Sequence, residues 1–195
     1  MLNYTNLQSL HSDRIFYLSE DVSENSMGNI CFELLKFINF DIEEDKIKKN
    51  YYKKPIKIFI NSFGGSVYDC WSLIDIIEHS TTPIYTYVTG KAMSCGFLIF
   101  LAGHKRFATE HATLLCHDVS WSMSGKYETV KNNIDELHRI KKDIEEYIIS
   151  KTNIPKQDIY YWNERAKDWY IHSEDFERLG ICKVIKDKKD MFLEE

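Results

Sequence analysis

Residues 84–102 constrain this chain more than any other segment. Ile84, Thr86 and Val88 alternate with Tyr85 and Tyr87, the period of a β-strand. A bend of mostly small residues follows, Gly90-Lys91-Ala92-Met93-Ser94-Cys95-Gly96, and residues 97–102 form an apolar, helix-like run. A strand that bends into an apolar helix belongs to an α/β layer structure. The same bend exposes the Ser94 hydroxyl at the end of a sheet and beside a helix N-terminus. Unpaired N–H groups and a partial positive charge there stabilise an oxyanion. Ser94 therefore reads as a candidate nucleophile, although the position also suits an ordinary helix N-cap.

The rest of the chain alternates in the same way. Residues 14–18 read as a short strand, and residues 25–40 place Met27, Ile30, Cys31, Leu34, Leu35 and Ile38 at helical spacing. Residues 41–54 are highly charged and read as a surface loop, which Pro55 ends. A strand over 56–60 leads through the turn Asn61-Ser62-Phe63-Gly64-Gly65 into a helix over 66–79, with Val67, Cys70, Trp71, Ile74 and Ile77 on one face. Beyond the Ser94 bend come short strands at 106–108 and 112–116. The longest helix follows over 126–150, with Val130, Ile134, Leu137, Ile140 (or Lys141), Ile144 and Ile148 as its apolar stripe. Pro155 opens a short helix, and residues 168–171 are extended. Residues 174–179 make a last helical turn or two closed by Gly180, and residues 181–185 end the fold. This alternation predicts a largely parallel α/β sheet. Residues 1–13 read as a loose arm and 14–195 as one domain, because 3 prolines and 8 glycines are too few for a linker.

Composition excludes several classes of function. The 195 residues carry a net charge of −5, which gives nucleic acid no basis for attraction. The five cysteines are odd in number and contain no CxxC pair, so neither a zinc site nor a disulfide framework is expected and a reducing compartment is. The N-terminus has no apolar targeting core, and the run 97–102 is too short to cross a bilayer. The expectation is a cytoplasmic protein without cofactor or metal.

A serine nucleophile needs a base within hydrogen-bond reach and a carboxylate to orient that base. Seven histidines compete. His11 lies in the arm, His79 ends a helix, His138 sits on the long helix, and His104, His111 and His172 lie in polar connections. His117 differs, because it emerges where the apolar strand 112–116 ends, at the carboxyl edge of the sheet where open α/β folds place their sites. The adjacent Asp118 is a poor orienter, since neighbours on an extended chain point to opposite sides. Asp168 precedes Trp169-Tyr170-Ile171, an apolar segment whose aromatic surroundings could bury it beside an imidazolium, although a turn or cap aspartate is the commoner reading of such a position. Gly64-Gly65 lets a backbone approach a ligand closely and aim its N–H groups.

Four blocks in order then resemble one family. Ile60-Asn61-Ser62-Phe63-Gly64-Gly65-Ser66-Val67, Gly90-Lys91-Ala92-Met93-Ser94-Cys95-Gly96, Leu114-Leu115-Cys116-His117, and Asp168-Trp169-Tyr170-Ile171 with Leu179-Gly180 look like the successive motifs of the Clp protease proteolytic subunit. The resemblance spans roughly residues 14–185. It implies a crotonase-like α/β fold of stacked β-β-α units with the long helix as a protruding handle. It implies Ser94 as nucleophile, His117 as general base and acid, Asp168 as orienter, and the backbone N–H groups of Gly65 and Cys95 as the oxyanion hole. It also implies a homo-oligomeric ring, heptamer or tetradecamer, that hydrolyses peptide bonds through an acyl-enzyme and works with an AAA+ unfoldase.

Several positions depart from that pattern. Phe63 stands where the family commonly has proline, and Glu20 where it typically has glycine. Cys95 follows the serine, and a backbone donor is indifferent to its side chain. As a competing nucleophile Cys95 would diverge from Ser94, and position 94 is the one that matches. The positions corresponding to the family's apolar unfoldase pockets include Lys57, His79, Thr89, Thr109 and Lys186, with Phe59 and Phe107 retained. Such departures fit a divergent member carried by a phage or mobile element. Two other readings stay open: a catalytically silent subunit of the same assembly, and an acyl-CoA enzyme on the same fold class, which would have no use for Ser94 and His117.

Overall fold

The computed structural model describes residues 14–165 and 167–187, so the proposed arm 1–13 lies outside the described residues. In chain order the elements are β1 (Ile15–Leu18), α1 (Glu24–Ile47), β2 (Ile56–Ser62), α2 (Val67–Glu78), β3 (Ile84–Met93), α3 (Cys95–Ala102), β4 (Lys105–Thr109), β5 (Thr113–Cys116), α4 (Tyr127–Lys151), α5 (Lys156–Glu164), β6 (Trp169–Ile171), α6 (Ser173–Phe176) and β7 (Lys183–Ile185). The sheet runs β1-β2-β3-β4-β7, all parallel. The expected mixed α/β class with a parallel sheet is the one observed.

Strand β3 is longer than its alternating pattern. It continues past Val88 to Met93 because a second neighbour takes over its edge. Tyr85–Val88 pair with β4, whereas Lys91–Met93 pair with β5, also in parallel. Thr89 and Gly90 sit at the changeover, and the register against β2 shifts between Ile60 and Ser62 at the same level. Strand β5 then pairs antiparallel with β6.

Ile56, Ile58 and Ile60 of β2 and Ile84 and Val88 of β3 form one buried core with Leu73, Ile74 and Ile77 of α2. Helix α3 lies in that core with all of its 8 residues buried, as a helix apolar on every side must. On the opposite face of the sheet Phe59, Tyr87 and Phe107 stack in a row, with ring centroids 4.7 and 5.0 Å apart. Helix α4 buries Ile140 and Ile148, while Tyr127 and Ile134 near its start are exposed. Its first half therefore projects from the core as a handle. Among the described residues no helix is long and apolar enough to cross a membrane.

The charged stretch 41–54 corrects the sequence reading. Helix α1 runs on to Ile47, and Asp41 is fully buried. Its position continues the buried stripe Met27, Cys31, Leu34 and Ile38 at intervals of three and four. A carboxylate at a core position is tolerable only when fully paired. Both Arg14 Nη atoms donate to the two Asp41 oxygens at 2.6 Å. Thr82 Oγ1 and Tyr51 OH add bonds of 2.7 and 2.8 Å, and Arg14 also donates to Lys54 O at 3.0 Å. One buried pair thus ties β1, α1, the following loop and the approach to β3. Burial pushes the Asp41 carboxyl up, but hydrogen bonds from Arg14, Thr82 and Tyr51 outweigh it and hold the carboxyl below the ordinary value.

Replacing Asp41 by Ala leaves the Arg14 guanidinium buried and uncompensated, so urea denaturation at pH 7 should show a loss of about 3–5 kcal/mol. Because the native carboxyl titrates below its unfolded value, this stabilisation is complete above about pH 4 and fades as pH falls through the lower native value. The gap between wild type and Asp41→Ala should therefore narrow in acid.

Candidate active site

Ser94 ends β3 in a conformation that non-glycine residues rarely adopt, with φ 53° and ψ −124°. Among the described residues only Arg14 and Asn50 share a positive φ without being glycine. Such backbone costs on the order of 1–3 kcal/mol and persists where its surroundings over-determine it. Here the Ser94 N–H donates to Leu115 O at 3.0 Å, and Ser94 O accepts from Phe97 and Leu98 in the first turn of α3. Ser94 thus occupies the N-cap position of α3, but its hydroxyl makes no capping bond to the helix.

Two strand pairings bring the other candidates to it. Parallel pairing sets Met93 opposite Leu115, so that Ser94 and His117 leave the sheet at the same end. Antiparallel pairing sets Cys116 opposite Trp169, and one step further brings His117 against Asp168. His117 Nδ1 lies 3.8 Å from Asp168 Oδ1, longer than a hydrogen bond. The aromatic enclosure expected around Asp168 is not there: its side chain is 56% exposed. The reason is local, since β6 has 3 residues and pairs with β5 alone among the described strands. Asp118 is engaged elsewhere, 3.0 Å from Lys141 Nζ on α4, in keeping with its exclusion as orienter. Other histidines have structural partners: His79 Nδ1 meets Asp75 O at 2.8 Å, and His104 Nδ1 accepts the Ile84 N–H at 3.0 Å.

The glycine pair follows from close approach. Gly64 has φ +101°, and a Cβ there would lie 2.7 Å from Met93 O and 2.8 Å from Ser94 Cβ. Gly65 has φ +149°, and its Cβ would lie 2.2 Å from Val22 O. Gly64 O accepts the Val22 N–H at 2.8 Å, and the Ser66 N–H donates to Val22 O at 2.8 Å. In a trans peptide the N–H points opposite to the carbonyl. With Gly64 O aimed at Val22, the Gly65 N–H aims away from it. Cys95 is the first residue of α3, so its N–H has no intrahelical acceptor.

Ser94, Cys95, Gly65 and His117 line one cavity of about 260 Å³. Val67, Phe97, Leu98, Ile144 and Ile148 give it an apolar wall, and Phe63 and Asp118 stand on its lining as well. Sequence reasoning placed Ile144 and Ile148 on an apolar stripe but gave no sign that the stripe faces this cavity. It also missed the contact that holds Phe63, whose ring centroid lies 4.1 Å from Lys91 Nζ. A phenylalanine two residues after Asn61, in a turn otherwise polar or glycine, was the available signal.

The cysteines divide into two kinds. Burial pushes the Cys116 thiol up to about 12 and the Cys70 thiol well above its usual value. Cys95 moves the other way: hydrogen bonding with Cys70 draws its thiol down, helped by the Gly65 backbone and Ser94, against desolvation. Among the described residues no cluster of His, Cys, Asp and Glu is arranged to hold a metal ion.

The chain as a whole matches a known family. The model of the Clp protease family matches residues 2–189. The chain belongs to the Clp protease family. It is 29% identical over 184 residues to ATP-dependent Clp protease proteolytic subunit 2 of Chlamydia abortus, covering 93% of this chain and 84% of that one. It is 26% identical over 179 residues to proteolytic subunit 1 of Prochlorococcus marinus (91% and 85%) and 25% identical over 189 residues to proteolytic subunit 1 of Bacillus cereus (96% and 92%). The structure of a ClpP1 mutant from Listeria monocytogenes superposes with a TM-score of 0.78 at 20% identity, covering 96% of this chain and 99% of that one. The Clp protease fold expected from the sequence is thus the fold observed, in a divergent member of the family.

Gly64→Ala should force Met93 O and Ser94 Cβ apart and hold an L-residue at positive φ. Thermal denaturation should show a loss of about 1–3 kcal/mol, and the variant should lose whatever reactivity Ser94 has toward acylating probes.

Proposed function

We propose that this chain is a serine endopeptidase that cleaves unfolded polypeptides or peptides through an acyl-enzyme. The observation that carries the reading is the shared cavity, which Ser94 at a strained strand–helix bend lines together with His117, Gly65 and Cys95. In this mechanism His117 takes the Ser94 proton as the hydroxyl attacks the scissile carbonyl. The two N–H groups hold the developing oxyanion where charge appears, and that preorganised stabilisation is usually the largest catalytic contribution. His117 then protonates the leaving amine, and water releases the acyl group by the same route in reverse. Asp168 orients and stabilises the imidazolium, closing the remaining gap when substrate binds, since catalytic hydrogen bonds tighten on the way to the transition state.

Subunits assemble in this proposal into a homo-oligomeric ring, heptamer or tetradecamer, in the cytoplasm. The projecting half of α4 and the exposed Phe32, Leu35 and Phe40 of α1 support self-association. An AAA+ unfoldase is the natural partner for a subunit whose relatives are named ATP-dependent. Its docking would have to use Phe107, the half-buried member of the aromatic row whose Phe59 and Tyr87 are buried, among polar neighbours that include Lys57, Thr89 and Thr109. A second reading is a catalytically silent structural subunit of such an assembly. The 3.8 Å separation between His117 and Asp168 and the exposure of Asp168 favour it.

A fluorophosphonate probe separates the two readings. It should label wild-type protein at Ser94 and leave Ser94→Ala unlabelled. With fluorogenic peptides Ser94→Ala and His117→Ala should each lose about 10⁴-fold or more in kcat. An assembled wild-type ring that takes no label and cleaves no peptide establishes the silent subunit instead. Light scattering that gives a monomer mass at every concentration would remove the ring.

A further inference from the structure

The Cys95 side chain has a role separate from its backbone. Its Sγ donates to Gly65 O at 3.2 Å, and Cys70 Sγ donates to Cys95 O at 3.4 Å. The peptide between Gly65 and Ser66 is thereby held at both ends, its carbonyl by the Cys95 thiol and its N–H by Val22 O. The peptide before it is held at Gly64 O by the Val22 N–H. Once both flanking groups are fixed, the Gly65 N–H has one direction left to point, away from Val22. Gly65 is exposed and glycine, so its own side chain supplies no restraint. Cys70 and Cys95 are both buried, and their two thiols join the three elements that meet here, the β2–α2 turn, α2 and α3.

Building on the peptidase reading, we propose that the Cys95 thiol is a positioning residue that clamps the Gly65 arm of the oxyanion hole to the nucleophile bend. The two N–H donors belong to different segments of chain, and oxyanion stabilisation depends on their being fixed before charge develops. A thiol is a weak donor, and here it adds to the Val22 bonds by fixing the one carbonyl of the glycine pair that they leave unheld, Gly65 O. The clamp acts on the transition state and not on substrate side chains, so it affects turnover and leaves binding alone.

Two measurements on the assembled protein test this with Cys95→Ala, which removes the donor, and Cys95→Ser, which keeps one in less volume. With a fluorogenic peptide Cys95→Ala should lower kcat about three- to tenfold at unchanged KM, the scale of one modest hydrogen bond, and Cys95→Ser should recover at least half of the loss. Amide exchange should speed up at Ser66 and Val22 in Cys95→Ala, return toward wild type in Cys95→Ser, and stay unchanged around Ile140 of α4, which reports global stability. Equal kcat in the two variants, a change in KM alone, or unaltered exchange at Ser66 and Val22 would overturn the clamp. Absence of turnover and of Ser94 labelling in the wild type would overturn the peptidase reading, and the exchange measurement would still decide the clamp.

Discussion

Strand β3 has two successive neighbours on one edge, and the geometry of the site depends on that division. Up to Val88 it pairs with β4, and from Lys91 it pairs with β5. A single neighbour along its whole length would leave no place for β5, the strand that carries His117 to the end of the sheet where Ser94 emerges. Because β4 leaves and β5 arrives in parallel, Ser94 and His117 exit the sheet together. The antiparallel pairing of β5 with β6 then delivers Asp168 from far along the chain. Two strand registers bring three residues from distant segments to one end of the sheet, and a one-residue slip in either would turn their side chains to the wrong face.

The strain at the bend is held by burial. Helix α3 carries Phe97, Ile99, Phe100 and Leu101 into the core, and each such side chain contributes roughly 1.5–3 kcal/mol. Against this the unfavourable backbone of Ser94 costs about 1–3 kcal/mol. A helix anchored on all sides cannot rotate to relieve Ser94, the residue before it. The glycine turn then approaches so closely that Gly64 admits no side chain. On the far side of the domain the Arg14–Asp41 pair performs a comparable fixing role for β1 and α1, through charge and hydrogen bonds in place of apolar contact.

Much of the fold was legible because apolar spacing follows helix and strand periods. Helices over 25–40, 66–79 and 126–150 and the strand over 56–60 read correctly in kind, with boundaries displaced by a few residues. The largest misreading came where a charged residue occupies a core position. Asp41 breaks the apolar stripe, so the pattern stops at Phe40 whereas the helix runs to Ile47. The carboxylate is neutralised within the core by a partner 27 positions earlier, a pairing that no local pattern announces. The second misreading, an enclosed Asp168, failed for a related reason. Trp169 and Tyr170 flank it in sequence, but a short strand at the margin of a sheet gives its leading residue nothing to be buried against.

The residue types of the candidate site and their order along the chain follow from the amino acids alone. Ser94 sits at a small-residue bend, His117 at a strand end, and a glycine pair at a strand–helix turn, because local periodicity and small residues are properties of neighbouring positions. The relations between those segments belong to the folded molecule. Folding turned the Gly65 N–H away from Val22, engaged Asp118 with Lys141, set His117 3.8 Å from Asp168, and brought the Cys95 thiol onto Gly65 O. Each of these joins residues far apart in sequence, and such contacts are fixed by strand register and core packing, which short-range spacing does not record.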